Sequence, residues 1–155
     1  MPISSGIPAP DFSLPDETGA IRTLSELRGQ PVILYFYPKD DTLGCTTEAC
    51  NFRDDYSLYA DAGVNIIGVS PDSPKSHAKF KAKYHLPFPL LADPEHKVCE
   101  LYQVWGLKKM IGREYMGVFR TTYLIGKDGY IIKVYENVKP AEHSGEIIND
   151  LKLNQ

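Results

Sequence analysis

Residues 32–37, Val32-Ile33-Leu34-Tyr35-Phe36-Tyr37, form an unbroken apolar run. A short run of β-branched and aromatic residues reads as a strand covered on both faces, and it is far too short to span a bilayer. Asn65-Ile66-Ile67-Gly68-Val69 predicts a second buried strand. Between them, residues 43–61 show helical spacing, with Cys45, Ala49, Phe52, Tyr56 and Tyr59 on one stripe and Gly63 placed at the C-terminal end. Residues 74–84 predict a helix with Ser73 as N-cap and Pro74 at its first position. Phe88-Pro89-Leu90-Leu91 predicts at best an edge strand, because proline cannot donate to a ladder. Residues 94–102 predict another helix. Residues 121–125 and 130–135 predict strands joined by Gly126-Lys127-Asp128-Gly129, and residues 141–153 a closing helix. Near the start, Phe12-Ser13-Leu14 and Ile21-Arg22-Thr23 flank Asp16-Glu17-Thr18-Gly19, a hairpin pattern, and residues 23–27 form a short helical turn closed by Gly29.

The first half therefore reads β-α-β-α, which requires parallel strands and crossover helices. The second half ends in an antiparallel hairpin and a helix. The order predicts an α/β protein: a mixed central sheet flanked by helices, with an N-terminal β-hairpin. That is the layout of a thioredoxin-like fold, which by itself says nothing of function. With 155 residues, 43% hydrophobic and 24% charged, a single domain over 1–155 is expected, with a core of its own. Disordered, coiled-coil and fibrous classes are excluded. The 17 basic and 20 acidic residues leave a charge of -3, so there is no basic excess for nucleic acid. The stretch Met1 to Gly6 has no cationic segment before an apolar run, so no secretory signal is expected. Three cysteines, an odd number, make a poor disulfide framework and point to a reducing, cytoplasmic setting.

Cys45 and Cys50 are the chemically informative pair. The first strand stops at Pro38, a polar loop Lys39-Asp40-Asp41-Thr42 follows, and a helix begins. Loops at the C-terminal ends of strands are where open α/β sheets place ligands. Asp40, Asp41 and Thr42 are all acceptable N-caps, and each choice leaves Cys45 within or just after the first turn. There the unpaired N–H groups and the helix dipole favour a thiolate. Glu48 works the other way, because a nearby carboxylate disfavours the thiolate, so a cation from elsewhere in the fold would be useful. Residues five apart in a helix have Cα atoms roughly 8–9 Å apart. A disulfide needs about 4.4–6.8 Å. If Cys45 and Cys50 ever bridge, the first turns must unwind. His77, His85 and His143 show no ligand spacing, and His96 with Cys99 is too few for a zinc site, so no metal is assigned. Cys99 is expected in the core, and Lys79, Lys81 and Lys83 on a solvated helix face.

Pro38-x3-Thr42-x2-Cys45 resembles the peroxiredoxin active-site motif. Cys45-Thr46-Thr47-Glu48-Ala49-Cys50 is similar to the bacterioferritin comigratory protein, or peroxiredoxin Q, subfamily. Further blocks agree in order: residues 11–16, 93–99, Val104-Trp105-Gly106, and Arg120-Thr121-Thr122-Tyr123-Leu124-Ile125. Leu43 departs from the pattern, which often has proline before the glycine. The resemblance implies a thiol peroxidase for hydrogen peroxide and organic hydroperoxides. In that role Cys45 is the peroxidatic cysteine, Cys50 resolves it as an intramolecular disulfide, and thioredoxin or a similar dithiol recycles it. It also implies that Thr42 offers its hydroxyl to peroxide and sulfur, that Pro38 shields the sulfur, and that Arg120 is the missing cation. No cofactor, no metal, no membrane and a monomeric state are implied too. Two other classes stay open: a thiol–disulfide exchange protein, although Cys-x-x-Cys is missing, and a binding or chaperone module whose cysteines only sense redox state.

Overall fold

The computed structural model describes residues 2–153; Met1, Asn154 and Gln155, part of the expected 1–155 domain, lie outside the described residues. Two short strands, β1 (Ser13–Pro15) and β2 (Ile21–Thr23), pair antiparallel as the N-terminal hairpin, and a 3-10 turn (Leu24–Leu27) follows. Next come β3 (Val32–Phe36), α1 (Leu43–Asp54), α2 (Tyr56–Asp61), β4 (Asn65–Ser70), α3 (Pro74–Tyr84) and β5 (Leu90–Ala92). The second half contains α4 (Lys97–Leu101), β6 (Trp105–Met110), β7 (Arg113–Val118), β8 (Thr121–Ile125), β9 (Ile131–Tyr135) and α5 (His143–Leu151).

The central sheet has the order β5-β4-β3-β8-β9. β4 runs parallel to β3 and β5, while β8 is antiparallel to β3 and β9. The mixed thioredoxin-like sheet follows from the chain order: crossover helices join the parallel strands, and a tight turn joins β8 to β9. All five residues of β3 are buried, as its unbroken apolar run requires. They alternate between two cores. Val32, Leu34 and Phe36 pack with Cys99, Tyr102 and Tyr123 on the α4 side. Ile33 and Tyr35 pack with Cys45, Phe52, Tyr59, Phe80 and Ile147 on the side of α1, α2, α3 and α5. Each such side chain contributes about 1.5–3 kcal/mol when fully buried.

Three elements differ from the sequence reading. The helix expected over 43–61 is two helices, broken at Asp55, whose backbone (φ -93, ψ 3) leaves the helical region. Asp55 accepts a hydrogen bond from Ser144 Oγ (2.7 Å), and Tyr59 donates to the Ser144 carbonyl (2.9 Å), so both are drawn to α5. The helix expected over 94–102 begins only at Lys97, because His96 is left-handed (φ 50) and Asp93 accepts from the Cys99 N–H at 2.8 Å. The hairpin β6–β7 was not anticipated. Its turn, Ile111-Gly112, has φ of 47° and 71°, a geometry that asparagine-glycine normally announces.

The register sets the site. Phe36 on β3 faces Thr121 on β8. Arg120, one residue before β8, therefore lies where β3 ends and the loop toward α1 leaves the sheet.

Candidate active site

Thr42 is the N-cap of α1 by backbone, yet its hydroxyl caps nothing. It donates to the Lys39 carbonyl at 3.1 Å. The first helical bond runs from the Thr46 N–H to the Thr42 carbonyl (2.8 Å), which places Cys45 inside the first turn. Cys45 is buried and begins the stripe continued by Ala49 and Phe52. Cys45, Cys50 and Cys99 are all free thiols.

The structure brings a cation to Cys45 from just before β8. Arg120 Nη2 donates to Cys45 Sγ at 3.1 Å, and Nη1 donates to Glu48 Oε1 at 3.3 Å. One guanidinium thus holds a thiol and a carboxyl on the same helix. A fixed fork of donors suits it to bridge two groups at once. Gly44 makes this approach possible, since a Cβ there would lie 2.8 Å from Arg120 Nη2. The glycine is needed here for space.

Glu48 is buried, and its Oε2 has no hydrogen-bond partner among the described residues. Burial pushes its carboxyl up to about 8, although Arg120 pulls the other way. The group is therefore largely neutral at pH 7, and the guanidinium charge is left mainly to the sulfur. Sequence reasoning counted Glu48 as a negative neighbour; its depth in the core was not visible there.

Lys108 on β6 was also missed. It donates to the Val118 carbonyl (2.9 Å) and lies over the Phe119 ring at 5.9 Å. Burial lowers its pKa, and the nearby Arg120 charge lowers it further. Its signal was hidden with the hairpin that carries it.

The remaining expected residues are distributed as follows. Cys50, on the polar flank of α1, is half-buried. Burial pushes its thiol above the ordinary value; Arg53 opposes this and Asp54 adds to it. Pro38 is half-buried at the exit from β3. Cys99 is buried on the opposite side of the sheet, and burial raises its thiol far above the ordinary value, with Asp93 adding to the effect. The sheet separates it from Cys45, which packs in the other core. Of the lysines expected on a solvated face, Lys83 pairs with Asp41 at 2.7 Å and Lys81 with Glu17 at 3.3 Å.

Residues 5–134 match the AhpC/TSA family. The chain is 51% identical over 152 residues to Peroxiredoxin Bcp of Bacillus subtilis, covering 98% of this chain and 97% of the relative. A crystal structure of a cysteine-to-serine mutant of Xylella fastidiosa PrxQ superposes with a TM-score of 0.91 at 33% identity, covering 97% of this chain and 96% of the other. The Xanthomonas campestris bacterioferritin comigratory protein, whose trapped intermediate and ligand complexes concern alkyl peroxide reduction, gives a TM-score of 0.88 at 35% identity, over 96% and 98% of the two chains.

Proposed function

The chain belongs to the AhpC/TSA family, in its Bcp and peroxiredoxin Q branch, and from that premise we propose how its own residues divide the work of an atypical two-cysteine thiol peroxidase. The observation that carries the assignment is Arg120 Nη2 at 3.1 Å from Cys45 Sγ.

The Cys45 thiolate attacks the distal oxygen of a hydroperoxide. An S–O bond forms, the O–O bond breaks, and the departing alkoxide or hydroxide takes a proton to leave as alcohol or water. Arg120 stabilises the negative charge on the sulfur and then on the polarised oxygens. With its proton on the Lys39 carbonyl, the Thr42 hydroxyl keeps lone pairs for the O–H of the incoming peroxide. Pro38, at the exit from β3, limits water at the sulfur. Leu43 and Phe119 are exposed next to Gly44 and Arg120 in the chain, an apolar rim that suits organic hydroperoxides as well as hydrogen peroxide.

Cys50 then attacks the sulfenic sulfur. The S–S bond forms and water leaves, and thioredoxin or a related dithiol reduces the bridge. Both cysteines sit in an intact helix, where five-residue spacing keeps Cα atoms roughly 8–9 Å apart, so α1 must unwind for this step. A transient catalytic disulfide is compatible with a cytoplasmic setting. The chain acts as one domain and needs no second copy to complete the pair.

Peroxide consumption with a thioredoxin reducing system tests the division of roles. Cys45→Ser abolishes turnover. Cys50→Ser keeps a single oxidation of Cys45 and loses thioredoxin-supported cycling. Undiminished turnover in Cys45→Ser overturns the assignment.

A further inference from the structure

His77, on α3, is fully buried and has both ring nitrogens engaged. Nε2 faces the Leu91 carbonyl on β5 at 2.9 Å, and a carbonyl only accepts, so Nε2 carries a hydrogen. Nδ1 lies 2.7 Å from Asp40 Oδ2. A bare imidazole lone pair and a carboxylate lone pair cannot meet at that distance, so one proton lies between them. Imidazolium with carboxylate, or imidazole with carboxylic acid, satisfies the geometry equally. Asp40, Asp72 and His77 bring ligand-type atoms within 4.8 Å of one another, and these atoms are already engaged inside the protein: His77 Nδ1 and Ser76 Oγ meet Asp40 Oδ2, and Asp72 Oδ2 accepts from the Asp40 N–H and Ser70 Oγ.

Asp40 is tied on every side. Its Oδ1 accepts from Tyr37 Oη (2.6 Å) just past β3, and its Oδ2 also accepts from Ser76 Oγ (2.7 Å) on α3. Its backbone N–H donates to Asp72 Oδ2 (2.8 Å), which also accepts from Ser70 Oγ (2.6 Å) at the end of β4. The next residue, Asp41, is left-handed (φ 59) and meets Lys83 Nζ (2.7 Å) and Tyr84 Oη (2.9 Å) at the far end of α3.

A second set of ties begins after Cys50. Asn51 Nδ2 donates to the carbonyls of Pro140 (3.3 Å) and Ala141 (3.2 Å), and Arg53 Nη1 donates to the Tyr84 carbonyl (2.8 Å). Between the two anchored ends lies the segment from Thr42 to Cys50, which Arg120 holds through Cys45 and Glu48. That segment is the one a Cys45–Cys50 bridge must unwind.

We infer that Asp40 and His77 are positioning residues: a buried one-proton latch that keeps the upstream end of this segment fixed while the helix start unwinds and reforms. The inference rests on the peroxidase reading above. The latch does not touch sulfur or peroxide. It acts by returning Thr42 and the first turn of α1 to one place before each attack. Breaking it slows attack on peroxide, because the helix start is misplaced. It does not slow the bridging step, because unwinding becomes easier.

Stopped-flow oxidation by hydrogen peroxide, followed by Trp105 fluorescence, separates the two steps, with folding checked by circular dichroism. Asp40→Ala and His77→Gln are expected to slow Cys45 oxidation by roughly tenfold or more, and to leave disulfide formation as fast as in the wild type or faster. In Asp40→Asn the amide N–H can donate to His77 Nδ1 while Nε2–H stays on Leu91, so oxidation returns to within about threefold of wild type. Equal slowing of both steps, no slowing of oxidation, or an Asp40→Asn protein as slow as Asp40→Ala overturns the latch. If Asp40→Ala fails to fold, His77→Gln and Asp40→Asn decide by the same criteria. A wild-type protein that leaves peroxide untouched overturns the peroxidase reading together with the latch, whereas variants that match a reactive wild type overturn the latch alone.

Discussion

At the scale of single residues, the site turns on how one guanidinium divides its charge. Arg120 meets both Cys45 and Glu48, and the buried carboxyl is pushed up to about 8. Below that pH Glu48 is neutral and its Oε1 simply accepts from Arg120. Above it, an ionised Glu48 competes for the cation and sets a negative charge beside the sulfur. An amide in place of this carboxyl presents the same accepting oxygen at every pH. Glu48→Gln is therefore expected to keep kcat/KM within about threefold of wild type at pH 6.5 and to exceed it increasingly through pH 8. The ratio of the two pH profiles is the measurement, and a ratio independent of pH contradicts the argument. Cys45, Thr42 and Pro38 were legible in the sequence because the motif fixes their spacing. Arg120 was named by the family resemblance, and its place at the head of an apolar strand agreed with that. The neutrality of Glu48 was not legible, since it depends on depth beneath α1. Nor was the role of Gly44, since it depends on how near Arg120 passes.

At the scale of elements, the sequence announced what periodicity and caps can announce. β3, α3 and β8 emerged with the expected bounds, or one residue from them, because an apolar run or a Ser-Pro cap marks each. The hairpin β6–β7 escaped because its turn has the wrong residues. Ile111 is β-branched, 95% exposed and left-handed at φ 47. It gains nothing from burial to offset that backbone. Asparagine tolerates the conformation, so Ile111→Asn is expected to stabilise the protein by about 0.5–1 kcal/mol in urea unfolding. A loss of stability would show that the isoleucine makes contacts the exposed turn does not display. The break at Asp55 was hidden for another reason: it is imposed by Ser144, 89 residues away, and no local pattern records it.

At the scale of the whole molecule, two buried groups on the α1–α5 side of the sheet pull stability in opposite directions with pH. Glu48 carries a raised pKa, from 4.5 to about 8, so the folded state keeps a proton that the unfolded chain has lost. That contribution is full below pH 4.5 and is lost as pH rises through 8. His143 is buried between Thr122 Oγ1 (2.8 Å) and Glu146 Oε1 (3.1 Å). Burial lowers its pKa below 6.5, and Glu146 only partly opposes this. Its contribution is therefore present above pH 6.5 and is lost as pH falls, because the unfolded chain takes up the proton first. Below pH 6.5 the two slopes have opposite signs wherever the unfolded chain carries the His143 proton and the folded state does not, so His143 opposes the Glu48 decline there. From 6.5 to 8 the Glu48 slope stands alone, at up to about 1.4 kcal/mol per pH unit. Urea unfolding of the reduced protein at pH 5, 6.5 and 8 is expected to show a shallower decline per pH unit over the first interval than over the second. In Glu48→Gln the decline disappears, and a rise from pH 5 to 6.5 is uncovered as the His143 limb. Parallel curves for the two proteins would mean that Glu48 is ionised in the folded state, and the division of charge drawn around Arg120 would fail with it.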